Sequence, residues 1–105
     1  MVVINVSKDN FQKEVLEEKG VVLVDFYADW CGPCRITGPI IEELAEENKN
    51  IKFVKVNVDK NPDLAGLYSV FSIPTFIIFK NGQIVNQFMG ALPKEKFLEE
   101  LKKTK

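Results

Sequence analysis

The sequence predicts an α/β fold: a central mixed β-sheet with helices on both faces, its elements in the order β-α-β-α-β-α-β-β-α. Three observations lead there. The run Val21-Val22-Leu23-Val24-Asp25-Phe26-Tyr27 is apolar on both faces apart from Asp25, as a central strand covered from both sides would be. Segments with apolar residues at helical spacing alternate with strand-like runs along the chain. Asn81-Gly82 marks a two-residue type I′ hairpin, which makes the strands on either side of it antiparallel neighbours.

The chain has 105 residues, 46% of them hydrophobic, which suits one domain spanning 1–105 with a core that needs no metal or disulfide support. Lys and Arg number 14 against 15 Asp and Glu, so there is no basic field of the kind that holds nucleic acid. The N-terminal stretch Met1-Val2-Val3-Ile4-Asn5-Val6-Ser7-Lys8 lacks a positive n-region followed by an apolar core, and no run approaches membrane-spanning length. The expectation is a soluble, cytoplasmic monomer with neither a membrane nor a nucleic-acid partner. Histidine is absent. That removes Cys-His and Ser-His-Asp catalysis and imidazole metal ligands together, so any proton acceptor for a cysteine must be a carboxylate, a lysine, another thiol or water.

Val2 to Val6 is a short β-branched strand, and Ser7 can cap the helix after it. Phe11, Val15 and Leu16 form an apolar stripe between charged residues from Lys8 to Lys19, predicting an amphipathic helix that Gly20 ends. Val21 to Tyr27 follows as the central strand. A helix from about Cys34 to Asn48 is expected, with Ile36, Ile40, Ile41, Leu44 and Ala45 inward, Glu42, Glu43, Glu46 and Glu47 on a solvated outer face, and a kink at Pro39. Ile51 to Val58 is a third strand. Asp59-Lys60-Asn61-Pro62-Asp63 begins a short helix carrying Leu64, Leu67 and Tyr68. Thr75–Lys80 and Gln83–Met89 make the hairpin, with Pro74 at the first strand's entrance. Sequence does not disclose whether the Ile73–Pro74 bond is cis; about one X-Pro bond in twenty is. Pro93 to Lys103 closes the chain as a helix with Phe97, Leu98 and Leu101 inward and Lys102, Lys103 and Lys105 near its negative end.

Chemistry concentrates in Trp30-Cys31-Gly32-Pro33-Cys34, which holds both cysteines and the sole tryptophan. Cysteines three apart can be a redox couple, half a metal site or an accident. In a helical first turn their Cα atoms lie roughly 5 Å apart, within disulfide range. Such a bridge closes a minimal loop and stabilises little, which favours a bridge that opens and closes. Pro33 fits a first turn, placing Cys31 at the helix N-terminus, where the macrodipole and unpaired N–H groups favour a thiolate. Cys31 is then the nucleophile and Cys34 the resolving thiol, with Cys34 expected to be the more buried.

Two charged residues lie in apolar phases. Asp25 is either a strand-end carboxylate reaching water or a buried carboxyl of raised pKa behind Cys34, serving as its general base. Lys55 is either a snorkelling lysine or the cationic partner of Asp25.

Val24-Asp25-Phe26-Tyr27-Ala28, the cysteine motif, Asn57-Val58-Asp59, Ser72-Ile73-Pro74-Thr75, Phe79-Lys80-Asn81-Gly82 and Gly90-Ala91 together resemble the thioredoxin family across essentially the whole chain. The resemblance implies a thioredoxin fold and an electron carrier, free of cofactor, with protein-disulfide reductase activity in cell redox homeostasis. It implies that Cys31 attacks disulfides in client proteins, that Cys34 resolves the mixed disulfide to Cys31–Cys34, and that a thioredoxin reductase restores the dithiol. It implies further that Asp25 helps deprotonate Cys34 with Lys55 nearby, that Gly32 and Pro33 tune the redox poise, that Pro74 is cis, and that Trp30, Ile73, Pro74, Gly90 and Ala91 form the client-docking surface. Tyr27, Arg35 and Phe71 depart from the commonest family pattern; Phe71 stands where a polar or basic residue is common and bears on client preference.

Three rivals remain open on sequence. A zinc site requires four ligands and the motif supplies two. An oxidase or isomerase of an oxidising compartment shares the fold, but resembles Cys-Pro-His-Cys or Cys-Gly-His-Cys motifs rather than Gly32-Pro33 between the cysteines. A binding module of the same fold would hold partners regardless of redox state.

Overall fold

Strands rich in Val, Ile and Phe bury both of their faces only where helices cover both sides of a sheet, and this chain meets that condition with a five-stranded sheet of order β1-β3-β2-β4-β5. A computed structural model describes residues 2–104; the expected position of Lys105 at the end of the last helix lies outside the described residues, as does Met1. The strands are β1 (Val3–Asn5), β2 (Val21–Tyr27), β3 (Lys52–Asn57), β4 (Thr75–Lys80) and β5 (Gln83–Met89), and the α-helices are α1 (Gly32–Glu47), α2 (Pro62–Leu67) and α3 (Lys94–Lys102). β3 runs parallel to β1 and β2, whereas β4 is antiparallel to β2 and β5.

Alternation along β2 divides the core in two. Val22, Val24 and Phe26 pack with Phe11, Val15, Leu64, Ala65 and Phe79 on one face. Leu23 packs with Ile41, Leu44, Phe76, Phe97 and Leu101 on the other, beneath α1 and α3. On that second face the Phe76 and Phe97 rings meet edge to face at 4.8 Å. Asp25 and Tyr27 share the phase of Leu23, which directs Asp25 toward the side covered by α1.

The β4–β5 hairpin turns at Asn81 and Gly82, whose φ values of 53° and 82° are the two positive angles of a type I′ turn. Gly82 is required twice over, since a Cβ there would run into the carbonyl oxygen of Leu16. Asn81 also ties the hairpin to the start of β2: its side-chain oxygen accepts the Gly20 N–H at 2.9 Å, and its own N–H donates to the Gly20 carbonyl at 3.0 Å.

Three expectations change. The helix expected from Lys8 to Lys19 is only a π-helical turn, Gln12–Leu16, closed by the Glu17 N–H on the Gln12 carbonyl at 2.8 Å. Its stripe of Phe11, Val15 and Leu16 is satisfied within one wide turn, and Ser7 and Asn10 satisfy the backbone ahead of it through the Asp9 N–H on Ser7 Oγ and the Ser7 N–H on Asn10 Oδ1. Ile36 is 62% exposed, because the inward position of the first turns of α1 is taken by Thr37, whose hydroxyl is satisfied by the Pro33 and Cys34 carbonyls. Leu67 is exposed as well, while α2 buries Leu64 and Ala65 and Tyr68 meets the Phe11 ring at a tilt and the Phe79 ring edge-on. Finally, the glutamates of α1 do more than face water: Lys94 at the start of α3 is paired with Glu43 and Glu47, joining the two helices of that face.

Candidate active site

β2 ends at Tyr27, and four residues later Cys31 is the N-cap of α1, with Gly32 and Pro33 in its first turn. The Cys31 N–H donates to the Ala28 carbonyl at 3.2 Å, and the Arg35 N–H to the Cys31 carbonyl at 3.3 Å. Cys31 Sγ accepts the Cys34 N–H at 3.1 Å, so sulfur takes the place that a Ser or Asp oxygen occupies in an ordinary helix cap. Pro33 has no N–H to contribute, and the donor that remains is aimed at the sulfur. In the dithiol form the same donor and the positive end of a 16-residue helix stabilise a thiolate at Cys31.

In this structure the two sulfurs are bonded, with Cα atoms 5.2 Å apart, the separation expected for a helical first turn. Both cysteines are buried, packed with Ala28 and the half-buried Tyr27, Val58 and Ile73. The expectation that Cys34 would be the more buried is not met: Cys31 is 3% exposed and Cys34 7%. The difference comes from a segment distant in sequence, since the Ile73 carbonyl oxygen lies 3.8 Å from Cys31 Sγ. The Ile73–Pro74 peptide is cis. Pro74 in turn accepts the Gly90 N–H at 3.0 Å, and Gly90 has a φ of 104°, a left-handed conformation suited to glycine.

Of the docking residues expected from sequence, Ile73, Pro74 and Gly90 are thus linked to one another and to Cys31. Ala91 is exposed beside Gly90, and Gly32 and Pro33 are exposed on the helix's first turn. Trp30 is 68% exposed, with its indole N–H on Asp59 Oδ2 at 2.8 Å. Asp59 has its own N–H on Asn57 Oδ1 at 2.9 Å, so the end of β3 positions the tryptophan. In the sequence, Asn57 and Asp59 are marked only as a polar pair following an apolar strand. Arg35 was likewise given no role, and it donates through Nε and Nη2 to the Asp29 carbonyl, fastening the loop ahead of the cysteines.

Asp25 is 5% exposed, which removes the reading of a carboxylate reaching water. Its Oδ1 is buried without a hydrogen-bond partner among the described residues. Burial raises its pKa to about 7, with the charge of Lys55 pulling the other way. The two residues are register partners across β2 and β3, yet no ion pair joins them among the described residues. Lys55 Nζ instead lies over the Tyr27 ring, 5.7 Å from its centroid. Lys55 therefore snorkels along an aromatic ring, and its charge opposes the rise of the Asp25 pKa.

A polar groove of about 520 Å³ opens between Asn5, Tyr27, Asp29, Asn57 and Lys60 and includes neither cysteine. Among the described residues no cluster of three or more acidic or cysteine side chains is arranged to hold a metal ion, and no helix is long and apolar enough to cross a membrane. The Cys31–Cys34 bridge lies buried beneath the exposed Trp30, Gly32 and Pro33, outside the groove.

Comparison with known proteins agrees with this geometry. The family model described as Thioredoxin matches residues 2–103. The chain is 48% identical over 93 residues to a thioredoxin of Chlorobaculum thiosulfatiphilum, covering 88% of this chain and 86% of the relative. It is 50% identical over 96 residues to Thioredoxin 2 of Chlorobaculum tepidum, with 90% and 88% covered. It is 48% identical over 99 residues to Thioredoxin 1 of a Nostoc species, with 93% and 92% covered.

The raised pKa of Asp25 has a stability consequence. Between the ordinary aspartate value of 3.8 and about 7 the folded state keeps a proton that the unfolded state has lost. Stability therefore falls as pH rises through that window, by at most roughly 4 kcal/mol, and stays lowered above it. Asp25→Ala removes the effect. Urea unfolding of the oxidised protein should show the variant gaining stability relative to wild type by about 1–4 kcal/mol more at pH 8 than at pH 4; an equal difference at both pH values would show that Asp25 titrates normally.

Proposed function

The chain belongs to the thioredoxin family, and from that premise we propose how its residues carry out protein-disulfide reduction. The observation that carries the reading is the N-cap position of Cys31, with the Cys34 N–H directed at its sulfur and the Cys31–Cys34 bridge already closed.

The protein is a disulfide reductase. In the dithiol form, the Cys31 thiolate attacks one sulfur of a client disulfide, and the client's other sulfur leaves as a thiolate that takes up a proton. Cys34 then loses its proton and attacks Cys31 Sγ, releasing the second client thiol and closing the Cys31–Cys34 bridge. Two electrons and two protons pass to the client, and the bridged state described here is the product.

Asp25 accepts the Cys34 proton: its raised pKa makes it a competent base near neutral pH, when it exchanges that proton with solvent. Lys55 limits how far that pKa rises. Gly32 and Pro33 set the redox poise through the shape of the first turn, and Trp30, Ile73, Pro74, Gly90 and Ala91 form the surface on which client backbone docks. A thioredoxin reductase returns the bridge to the dithiol. The 1–105 span works as a single domain, as a monomer in the cytoplasm, with no cofactor of its own.

Three measurements test these assignments. Reduction of insulin disulfides by dithiothreitol should be accelerated by the protein and not by Cys31→Ser; absence of acceleration by folded wild-type protein would instead favour a module that binds partners independently of redox state. Cys34→Ser, which lacks the resolving thiol, should accumulate clients in covalent linkage to Cys31, and recovery of no adduct from a lysate would reverse or remove the two cysteine roles. Asp25→Ala should turn over about 10-fold or more slowly near pH 7, with the deficit shrinking at alkaline pH; equal rates across pH would assign the proton to water.

A further inference from the structure

Phe71 is 87% exposed, more than any other large hydrophobic side chain among the described residues. A single exposed aromatic ring is ordinary on a protein surface. What distinguishes this one is how its backbone is fixed. On one side Val70 is in the core, and its N–H donates to the Ala65 carbonyl at 2.9 Å. On the other, the Thr75 hydroxyl is bonded to the Ser72 carbonyl, Ile73 packs against the cysteines, and the Pro74 carbonyl holds Gly90. The ring thus projects into solvent from a braced segment, so little conformational freedom is lost when something covers it.

The reaction determines what comes near. Ile73 offers its carbonyl 3.8 Å from Cys31 Sγ, and Phe71, two residues earlier, has its Cα within about 7 Å of the Ile73 Cα. A client in mixed disulfide with Cys31 has its own half-cystine bonded to that sulfur, and an extended client advances about 3.4 Å per residue. Residues within about two positions of the attacked half-cystine therefore pass close to the segment that carries Phe71. Nothing in the sulfur chemistry needs an aromatic there; a flanking side chain that is apolar can use it.

We propose that Phe71 is a client-contacting residue that favours disulfides flanked by an apolar side chain within about two residues of the attacked half-cystine. The inference rests on the reductase reading above. A charged flanking residue has no partner on Phe71, and an apolar one removes ring surface from water in the mixed disulfide, where the gain speeds the exchange.

The test uses the reduced protein and synthetic peptides with one intramolecular disulfide, identical except for Leu, Ser, Glu or Lys on both sides of each cysteine. The second-order rate constant for peptide reduction is followed by chromatographic separation of peptide dithiol from disulfide. Wild type should favour the Leu peptide over the Ser peptide by about three- to tenfold, the size of one aromatic contact. Phe71→Ser should bring that ratio close to one, Phe71→Leu should keep most of it, and Phe71→Lys should shift preference toward the Glu peptide. The same Leu-to-Ser ratio in wild type and Phe71→Ser, with all peptides reduced, would overturn the role of Phe71 and leave the reductase intact. Failure of wild type to reduce any peptide would overturn the reductase reading and this inference with it.

Discussion

A single hydrogen-bond donor, the Cys34 N–H aimed at Cys31 Sγ, is the constraint on which the rest of the site depends. It exists because a strand ends and a helix begins within a few residues, and because Pro33 withdraws a competing donor from the first turn. A thiol elsewhere in the helix would find its neighbouring N–H groups already engaged with carbonyls. Only at the N-cap are backbone donors free to solvate a sulfur anion, and the position of β2 relative to α1 puts Cys31, not Cys34, in that place.

The same packing imposes a burden beneath the site. β2 lies between β3 and β4, and its residues on the α1 side are covered by helices. A carboxyl placed in that layer loses its hydration, and Asp25 is left with an oxygen that has no protein partner among the described residues. The site therefore contains a group that opposes folding when charged. The charge of the half-buried Lys55 moderates the penalty without cancelling it. With its pKa raised to about 7, the neutral and charged states of Asp25 lie close in energy near neutrality.

What could be read in the sequence follows from how local each feature is. β2, β4 and β5 match their expected bounds residue for residue because a both-faces-apolar run and an Asn-Gly turn are local signals. The cysteine spacing likewise carried its own geometry. The first helix is shorter than its pattern suggests because the same three apolar residues satisfy one wide turn or a longer helix, and backbone bonding decides between them. Periodicity turns Ile36 inward, but helix rotation is set by Thr37 finding partners in three dimensions. The order of burial within the cysteine pair depends on Ile73, the support of Trp30 on Asp59, and the isolation of Asp25 on the covering of β2. Each is a long-range contact, and periodicity does not contain it.

The Ile73 carbonyl that covers Cys31 belongs to a residue 42 positions further along the chain, and β4, which completes the central seam with β2, follows it immediately. During synthesis the cysteines and the whole of α1 are made well before either. A nascent chain therefore carries its reactive pair with no roof over it for a period set by the rate of translation, on the order of seconds. Assembly of the site is a late event for early residues: the cysteines gain their cover only once the chain has been made as far as Ile73 and β4.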